Sequence, residues 1–354
     1  MISFYPGPSK VYPELKHFMM EAMDSGILSV NHRSPEFVEM CRKTVSLLKQ
    51  KLDIPSNYSV YFTSSATECW EILTESFIDQ RSLHVYSGAF GEKWMNYRKK
   101  LTDKGMTEGL SFPFHREIGI NKLLSGSGKD YDILCLTSNE TSNATKVSSK
   151  TIHDIHKRFK DALVMVDATS SMAGVVHDWI SADVWFASVQ KCFGLPAGLA
   201  VMVCSPKAVA KARSLNHNLH YNSLAFIDEQ MQNYQTTYTP NVLNIYLLMR
   251  VMEMRPHIKE VSKRTKMRMQ LINHSLTNAG FELLVPYTKL RSDTVTAVKA
   301  SVDRVTEVKA KAKAEGFMLG NGYGHWKPST FRVANFPAIS DREVDDLLAF
   351  MKTV

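Results

Sequence analysis

The chain has 354 residues, 44% of them apolar and 22% charged, with 17 Gly and 13 Pro spread along its length. That is room for two domains of about 100 to 200 residues, and it excludes a disordered or collagen-like chain. Lys and Arg (43) exceed Asp and Glu (35) for a formal charge of +8, but the surplus is scattered or sits on amphipathic stretches such as 259–268 and 309–313, which read as solvated helix faces and not as a nucleic-acid groove.

Residues 13–25 and 35–52 open with proline and place apolar residues at helical spacing, which predicts two helices, the first stopped by Gly26. From Ser59 short apolar runs alternate with helical stretches. Strands are predicted at 59–63, 83–87 and 132–138, each followed by a helix (to about Ile78, over 91–101, and near 150–159), then further strands at 162–167, 183–188 and 198–205. Runs this apolar cannot keep one face in water, so they predict a largely parallel sheet covered by helices, an α/β core. After Pro240 the spacing predicts a helical segment over 241–278 interrupted at Pro256. Short strands at 281–285, 293–300 and 329–336 follow, among helices at 302–314 and 341–352. The expected division is a large domain over 16–250 and a smaller C-terminal α+β domain over 251–354. The segment 1–15 and a connecting helix, with no flexible linker, should join them.

No apolar run approaches the ~20 residues of a membrane span, and the segment after Met1 lacks a basic region followed by an apolar one. A cytoplasmic protein is expected, with neither membrane nor nucleic acid as partner. The five cysteines form no C-x-x-C pair, and Cys135 and Cys204 fall in apolar runs. Neither a disulfide framework nor a metal site is expected.

In a parallel α/β sheet ligands gather at the carboxyl ends of the strands. After 59–63 come Ser64, Ser65, Ala66 and Thr67, small and hydroxyl residues at a helix start, where free N–H groups favour a phosphate. After 83–87 come Gly88, Ala89, Phe90 and Gly91, with an aromatic that could lie on a planar ligand. After 132–138 comes a polar loop containing Asn139, Glu140 and Thr141. The run 162–167 ends in Asp167, and Gln190 and Lys191 follow 183–188. Singly, these are a helix cap, a core ring, a polar turn and a solvated lysine. Jointly, a phosphate cradle, a stacking ring, a buried carboxylate and a strand-end lysine are what pyridoxal phosphate requires: the lysine bonds to the aldehyde, and the carboxylate keeps the pyridine nitrogen protonated.

With these residues in place the sequence resembles the class V aminotransferases of fold type I. The similarity runs from Phe4-Tyr5-Pro6-Gly7-Pro8-Ser9 through His32-Arg33 and the Asp167 and Lys191 segments to Thr330-Phe331-Arg332. Within the class, Asn139-Glu140-Thr141 and Gln190-Lys191 with Gly194-Leu195-Pro196-Ala197-Gly198 are most similar to the phosphoserine branch. The resemblance implies a mostly parallel seven-stranded sheet, pyridoxal 5'-phosphate as cofactor, and transfer of the amino group of phosphoserine to 2-oxoglutarate in serine biosynthesis. It further implies that Lys191 carries the cofactor and moves the Cα proton, that Asp167 pairs with the pyridine nitrogen, and that Phe90 stacks on the ring. Thr141 would bond the phenolic oxygen, while Ala66, Thr67 and Gln190 would hold the phosphate. Thr239 matches a phosphate ligand from a second subunit, which implies a homodimer with shared sites. Arg332 would take the substrate α-carboxylate, with His32, Arg33, His325 and Lys327 around the rest of the substrate.

Two departures bear on the substrate. Ala66 lies in a turn that bears an arginine in bacterial phosphoserine enzymes, and Trp326 stands where they have a second one. A transaminase for an uncharged small amino acid, of the alanine-glyoxylate or serine-pyruvate kind, is therefore the alternative. Cysteine desulfuration would need a mobile thiol, and Cys192 adjoins the lysine on a strand end. The non-enzymatic reading is a basic binding module in which Lys191 and Asp167 form a structural ion pair.

Overall fold

The computed structural model describes residues 1–119 and 130–354. The chain enters through a short strand, β1 (Ile2–Phe4), and two helices, α1 (Leu15–Asp24) and α2 (Pro35–Leu52). Pro35 occupies the first turn of α2, the Ser34 hydroxyl accepts the Phe37 N–H at 3.3 Å, and Asp53 ends the helix in the left-handed region at φ 59°. There follow β2 (Ser59–Thr63), α3 (Ala66–Ser76), β3 (Ser82–Tyr86), α4 (Ala89–Leu101), β4 (Thr107–Ser111) and β5 (Ile133–Thr137). A small hairpin, β6 (Asn139–Glu140) and β7 (Thr145–Lys146), leads to α5 (Ser149–Arg158), β8 (Leu163–Asp167), β9 (Val184–Ser188) and β10 (Ala200–Cys204).

These strands build a seven-stranded sheet in the order β2-β10-β9-β8-β5-β3-β4. β10 runs antiparallel to β2 and β9, and the other pairs are parallel. Every residue of β5, β8, β9 and β10 is buried, which is why they read as unbroken apolar runs. Six of the seven were expected from the residues. The other, β4, is an edge strand whose Glu108 and Gly109 give no apolar run.

The chain continues through α6 (Pro206–Leu215), α7 (Leu224–Met231), α8 (Val242–Met254) and α9 (Ile258–Asn278), then β11 (Glu282–Leu283), β12 (Val295–Lys299), α10 (Val302–Ala314), β13 (Phe317–Asn321), β14 (Thr330–Ala334) and α11 (Asp341–Met351). Five strands form a second sheet, β1-β13-β14-β12-β11, in which β1 is parallel to β13 and the rest are antiparallel. The helical segment expected over 241–278 is two helices, α8 and α9, with Pro256 between them. α8 packs on α2 and α1, and α9 on α11, β11 and β12. Residue 250 thus lies inside α8, and the packing partner changes at the proline. A continuous apolar core links both sheets, with Trp185, Phe186, Phe193, Phe331 and Phe336 fully enclosed. Among the described residues no helix is long and apolar enough to cross a membrane.

Candidate active site

A cavity of about 490 Å³ opens at the carboxyl ends of β5, β8 and β9, where Thr137, Asp167, Ser188 and Lys191 line its floor. Lys191 is 8% exposed. Its Nζ donates to Thr141 Oγ1 at 3.1 Å and lies 5.3 Å from the centroid of the Phe90 ring. Burial pushes its pKa below the ordinary lysine value, against the attraction of Asp167 and Glu140. A lysine that yields its neutral amine readily is a nucleophile. The N-terminal segment closes over its stem: the Ser9 N–H donates to the Gln190 carbonyl at 3.1 Å, and a Cβ on Gly7, at φ 141°, would fall 2.9 Å from Lys191 Cε.

Asp167 ends β8 and is 4% exposed. The Thr169 N–H donates to its Oδ1 at 2.9 Å and the Trp70 indole N–H to its Oδ2 at 3.2 Å. Burial raises its pKa, opposed by Thr169, by the charge of Lys191 and by Trp70.

Phe90 sits in the first turn of α4, beside the buried Glu140, and its ring packs at 5.3 Å on Tyr323. The helix and Glu140 approach so closely that a Cβ on Gly88 would fall 2.4 Å from Glu140 Cγ. The Thr141 hydroxyl donates to Ser170 Oγ at 2.8 Å while accepting from Lys191. At the start of α3 the Ser65 hydroxyl takes the Glu68 N–H at 3.0 Å, and the Ala66 N–H donates to Ser188 Oγ at 2.8 Å. Arg332, 5% exposed, donates Nη1 to the Thr141 carbonyl at 2.6 Å and Nε to the Asn321 carbonyl at 2.7 Å. Among the described residues no acceptor meets its Nη2. Lys327 borders the same cavity.

Ala66, Thr67, Phe90, Thr141, Asp167, Gln190, Lys191, Lys327 and Arg332 thus surround one space, and His32, Arg33, His325 and Thr239 do not line it. His32 Nδ1 lies 3.3 Å from Thr239 Oγ1, and Arg33 bonds Gln230 at 2.9 Å and also Gln235. The His325 ring lies 4.4 Å from that of Trp326, whose indole packs edge-on against Phe114 at 5.6 Å. Residues not foreseen are Trp70 and Glu140, together with Tyr5, Gly7, Asn321 and Tyr323 on the cavity wall. Trp70 was within reach of the sequence, because it falls one helical turn beyond Ala66 and so on the same face. Burial pushes the Cys192 thiol up to about 12, which leaves it without thiolate character at neutral pH.

Residues 6–333 match the family described as aminotransferase class-V. An uncharacterised aminotransferase of Methanocaldococcus jannaschii is 26% identical over 97% of this chain and 90% of its own length. The crystal structure of a phosphoserine aminotransferase from Cytophaga hutchinsonii superposes with a TM-score of 0.93 at 32% identity, covering 99% of this chain and 98% of that one. A pyridoxal phosphate-bound phosphoserine aminotransferase from Trichomonas vaginalis shares the fold, with a TM-score of 0.80 at 19% identity over 99% of both chains.

The cavity's own unpartnered polar groups fit that cofactor. Thr137 Oγ1, Thr169 Oγ1 and Gln190 Oε1 are buried without a hydrogen-bond partner among the described residues, and all three residues line the space. Such groups call for a polar ligand. The Thr67 N–H in the first turn of α3 suits a phosphate, Phe90 a flat ring, Asp167 a protonated ring nitrogen and Lys191 an aldehyde.

Proposed function

The chain belongs to the class V aminotransferases, and from that premise we propose that it moves the amino group of O-phospho-L-serine to 2-oxoglutarate, giving 3-phosphohydroxypyruvate and L-glutamate in cytoplasmic serine biosynthesis. Its cofactor is pyridoxal 5'-phosphate, which when bound supplies an electron sink conjugated to the substrate's Cα. Lys191 Nζ would hold the cofactor at its aldehyde carbon and would serve as the base for the substrate's Cα proton. Asp167 would hold the proton on the pyridine nitrogen. Phe90 would cover the ring, Thr141 would bond its phenolic oxygen, and the start of α3 with Gln190 would take the phosphate.

Arg332 takes the substrate α-carboxylate with the part of its guanidinium that faces no backbone carbonyl. His32, Arg33 and Thr239 lie away from the cavity of their own chain and would serve the site of a second subunit in a homodimer. His325 would approach the substrate from beside Lys327. We also propose that the chain divides into a large and a small domain near the boundary expected at 250, at the proline between α8 and α9.

The observation that carries the phosphoserine reading is that Lys327 borders the cavity together with Arg332: one cation for the α-carboxylate, another for an anionic side chain. One observation favours an uncharged donor instead. Trp326 is occupied by Phe114 and His325 and brings no charge. A donor panel of phosphoserine, alanine, serine and aspartate, each with 2-oxoglutarate, tests the two. The highest kcat/KM is expected for phosphoserine, and a preference for alanine or serine would replace it with the second reading.

A further inference from the structure

Asp167, nine-tenths and more enclosed, can keep a charge only if it is given donors. The chain provides two. One is the Thr169 backbone N–H, which any residue but proline would supply at that position. The other is the indole N–H of Trp70, and it depends on that side chain alone. Trp70 is 7% exposed and lines the cavity. It lies one turn along α3 from Ala66 and Thr67, so a single rigid helix faces the phosphate end of the cavity with its first turn and Asp167 with its second.

The indole is locked in place. It stacks on Trp94 with centroids 6.3 Å apart and planes 11° from parallel. Trp94 in turn meets His84 of β3 and Phe186 of β9 edge-on, both at 5.2 Å. A phenylalanine would satisfy this stack. The N–H is the feature that packing leaves unexplained.

We propose that Trp70 is a positioning residue for Asp167: its indole N–H pins Oδ2, which keeps the carboxylate ionised and turned toward the pyridine nitrogen of pyridoxal phosphate. The proposal rests on the reading of Asp167 as that nitrogen's partner. The other ionisable groups facing Asp167 are Lys191, whose charge favours the anion, and the Cys69 thiol, kept protonated by burial. Among the described residues neither donates a hydrogen bond to it; the Thr169 side chain also favours the anion, and Trp70 is the donor that meets Oδ2.

Trp70→Phe keeps the ring and removes the donor, and Trp70→benzothienylalanine does so with the indole outline intact. A donor to the charged form lowers an acid's pKa, so losing it lets Asp167 take a proton at higher pH. In the holoenzyme, cofactor release on acidification should therefore begin about one pH unit higher than in wild type, the shift expected from one hydrogen bond to a charged group. With cofactor labelled by nitrogen-15 in the ring, the resonance at neutral pH should move toward the neutral-pyridine position as the proton shifts onto Asp167. kcat should fall about ten-fold with little change in KM for the donor. Should both Trp70 variants release cofactor and resonate as wild type does, the N–H is idle and the proposal is wrong. Asp167→Asn separates the two layers: a ring nitrogen that stays protonated in that variant would overturn the reading of Asp167 and the proposal with it, whereas loss of the proton there and not in the Trp70 variants would overturn the proposal alone.

Discussion

The Glu140 carboxylate caps the helix that carries Phe90. Its Oε2 accepts the Phe90 and Gly91 N–H groups at 3.1 and 3.2 Å, while Oε1 accepts the Ser142 N–H at 3.0 Å and the Ser142 hydroxyl at 2.6 Å. Burial raises its pKa, and these four donors pull the other way. One acidic side chain therefore ties the start of α4 to the loop that holds Thr141, and a negative group at a helix N-terminus is well placed for the helix dipole.

Glu140→Gln should expose the value of that arrangement. The amide offers one acceptor where the carboxylate offers two, so its NH2 group must face one pair of buried donors. A loss of about 1 to 3 kcal/mol is expected. Thermal unfolding should show a lower Tm, and equilibrium titration a cofactor affinity weaker by about ten-fold, since Phe90 loses its fixed position.

Lys191→Ala should abolish covalent capture of the cofactor. In the native protein, borohydride reduction followed by peptide mapping should place the label on Lys191, and label on another lysine would reassign the role. The pH dependence has a definite sign. Because burial lowers the Lys191 pKa, the neutral amine persists to a lower pH than on a surface lysine, and capture by the apoenzyme should slow only as pH falls through that lowered value. Stopped-flow absorbance against pH checks it.

Lys327→Ala should raise KM for phosphoserine about ten-fold and leave alanine kinetics nearly unchanged, because alanine has no phosphate to lose a contact with. Arg33→Ala should behave likewise if the partner subunit's edge closes the site. Steady-state kinetics with both donors decides this; equal effects on both would assign these residues to structure.

Shared sites make a further demand. If Thr239 serves the neighbouring subunit, a Lys191→Ala protomer mixed with a Thr239→Ala protomer should regain activity, because one of the two sites in the mixed dimer keeps both native residues. Activity of the mixture set against each parent, with light scattering for the mass, measures it. An active monomer would sink the reading.

The elements that the residues disclosed are those whose burial is uniform. β5, β8, β9 and β10 lie inside the sheet, so hydrophobicity alone marks them, and α2, α10 and α11 announce themselves by apolar residues at helical spacing, with a proline opening α2. β4, at the edge, and β1, three residues long, carry no comparable pattern. The same contrast runs through the site. Asp167 and Lys191 stand out because a charge at the end of an apolar strand is anomalous. Tyr5, Gly7 and Tyr323 reach the cavity through pairing between distant segments, which no local spacing records. Glu140 looked like one polar residue in a polar loop, and only its four donors distinguish it.

The pairing of β1 with β13 sets an order on assembly. Ile2–Phe4 are synthesised long before the strand they join, Phe317–Asn321. The seven-stranded sheet closes with Ala200–Cys204 and is complete well before that, so it can form while β1 is still unpaired. Ser9 and Tyr12 can already bond Gln190 and Gly194 at that stage, whereas Ile2–Phe4 have no strand to join until β13 emerges. Chains stalled before that strand would thus present a folded sheet with Ile2–Phe4 unpaired and open to proteolysis, and the anchoring of the strand that leads into the cover over Lys191 becomes a late step of maturation.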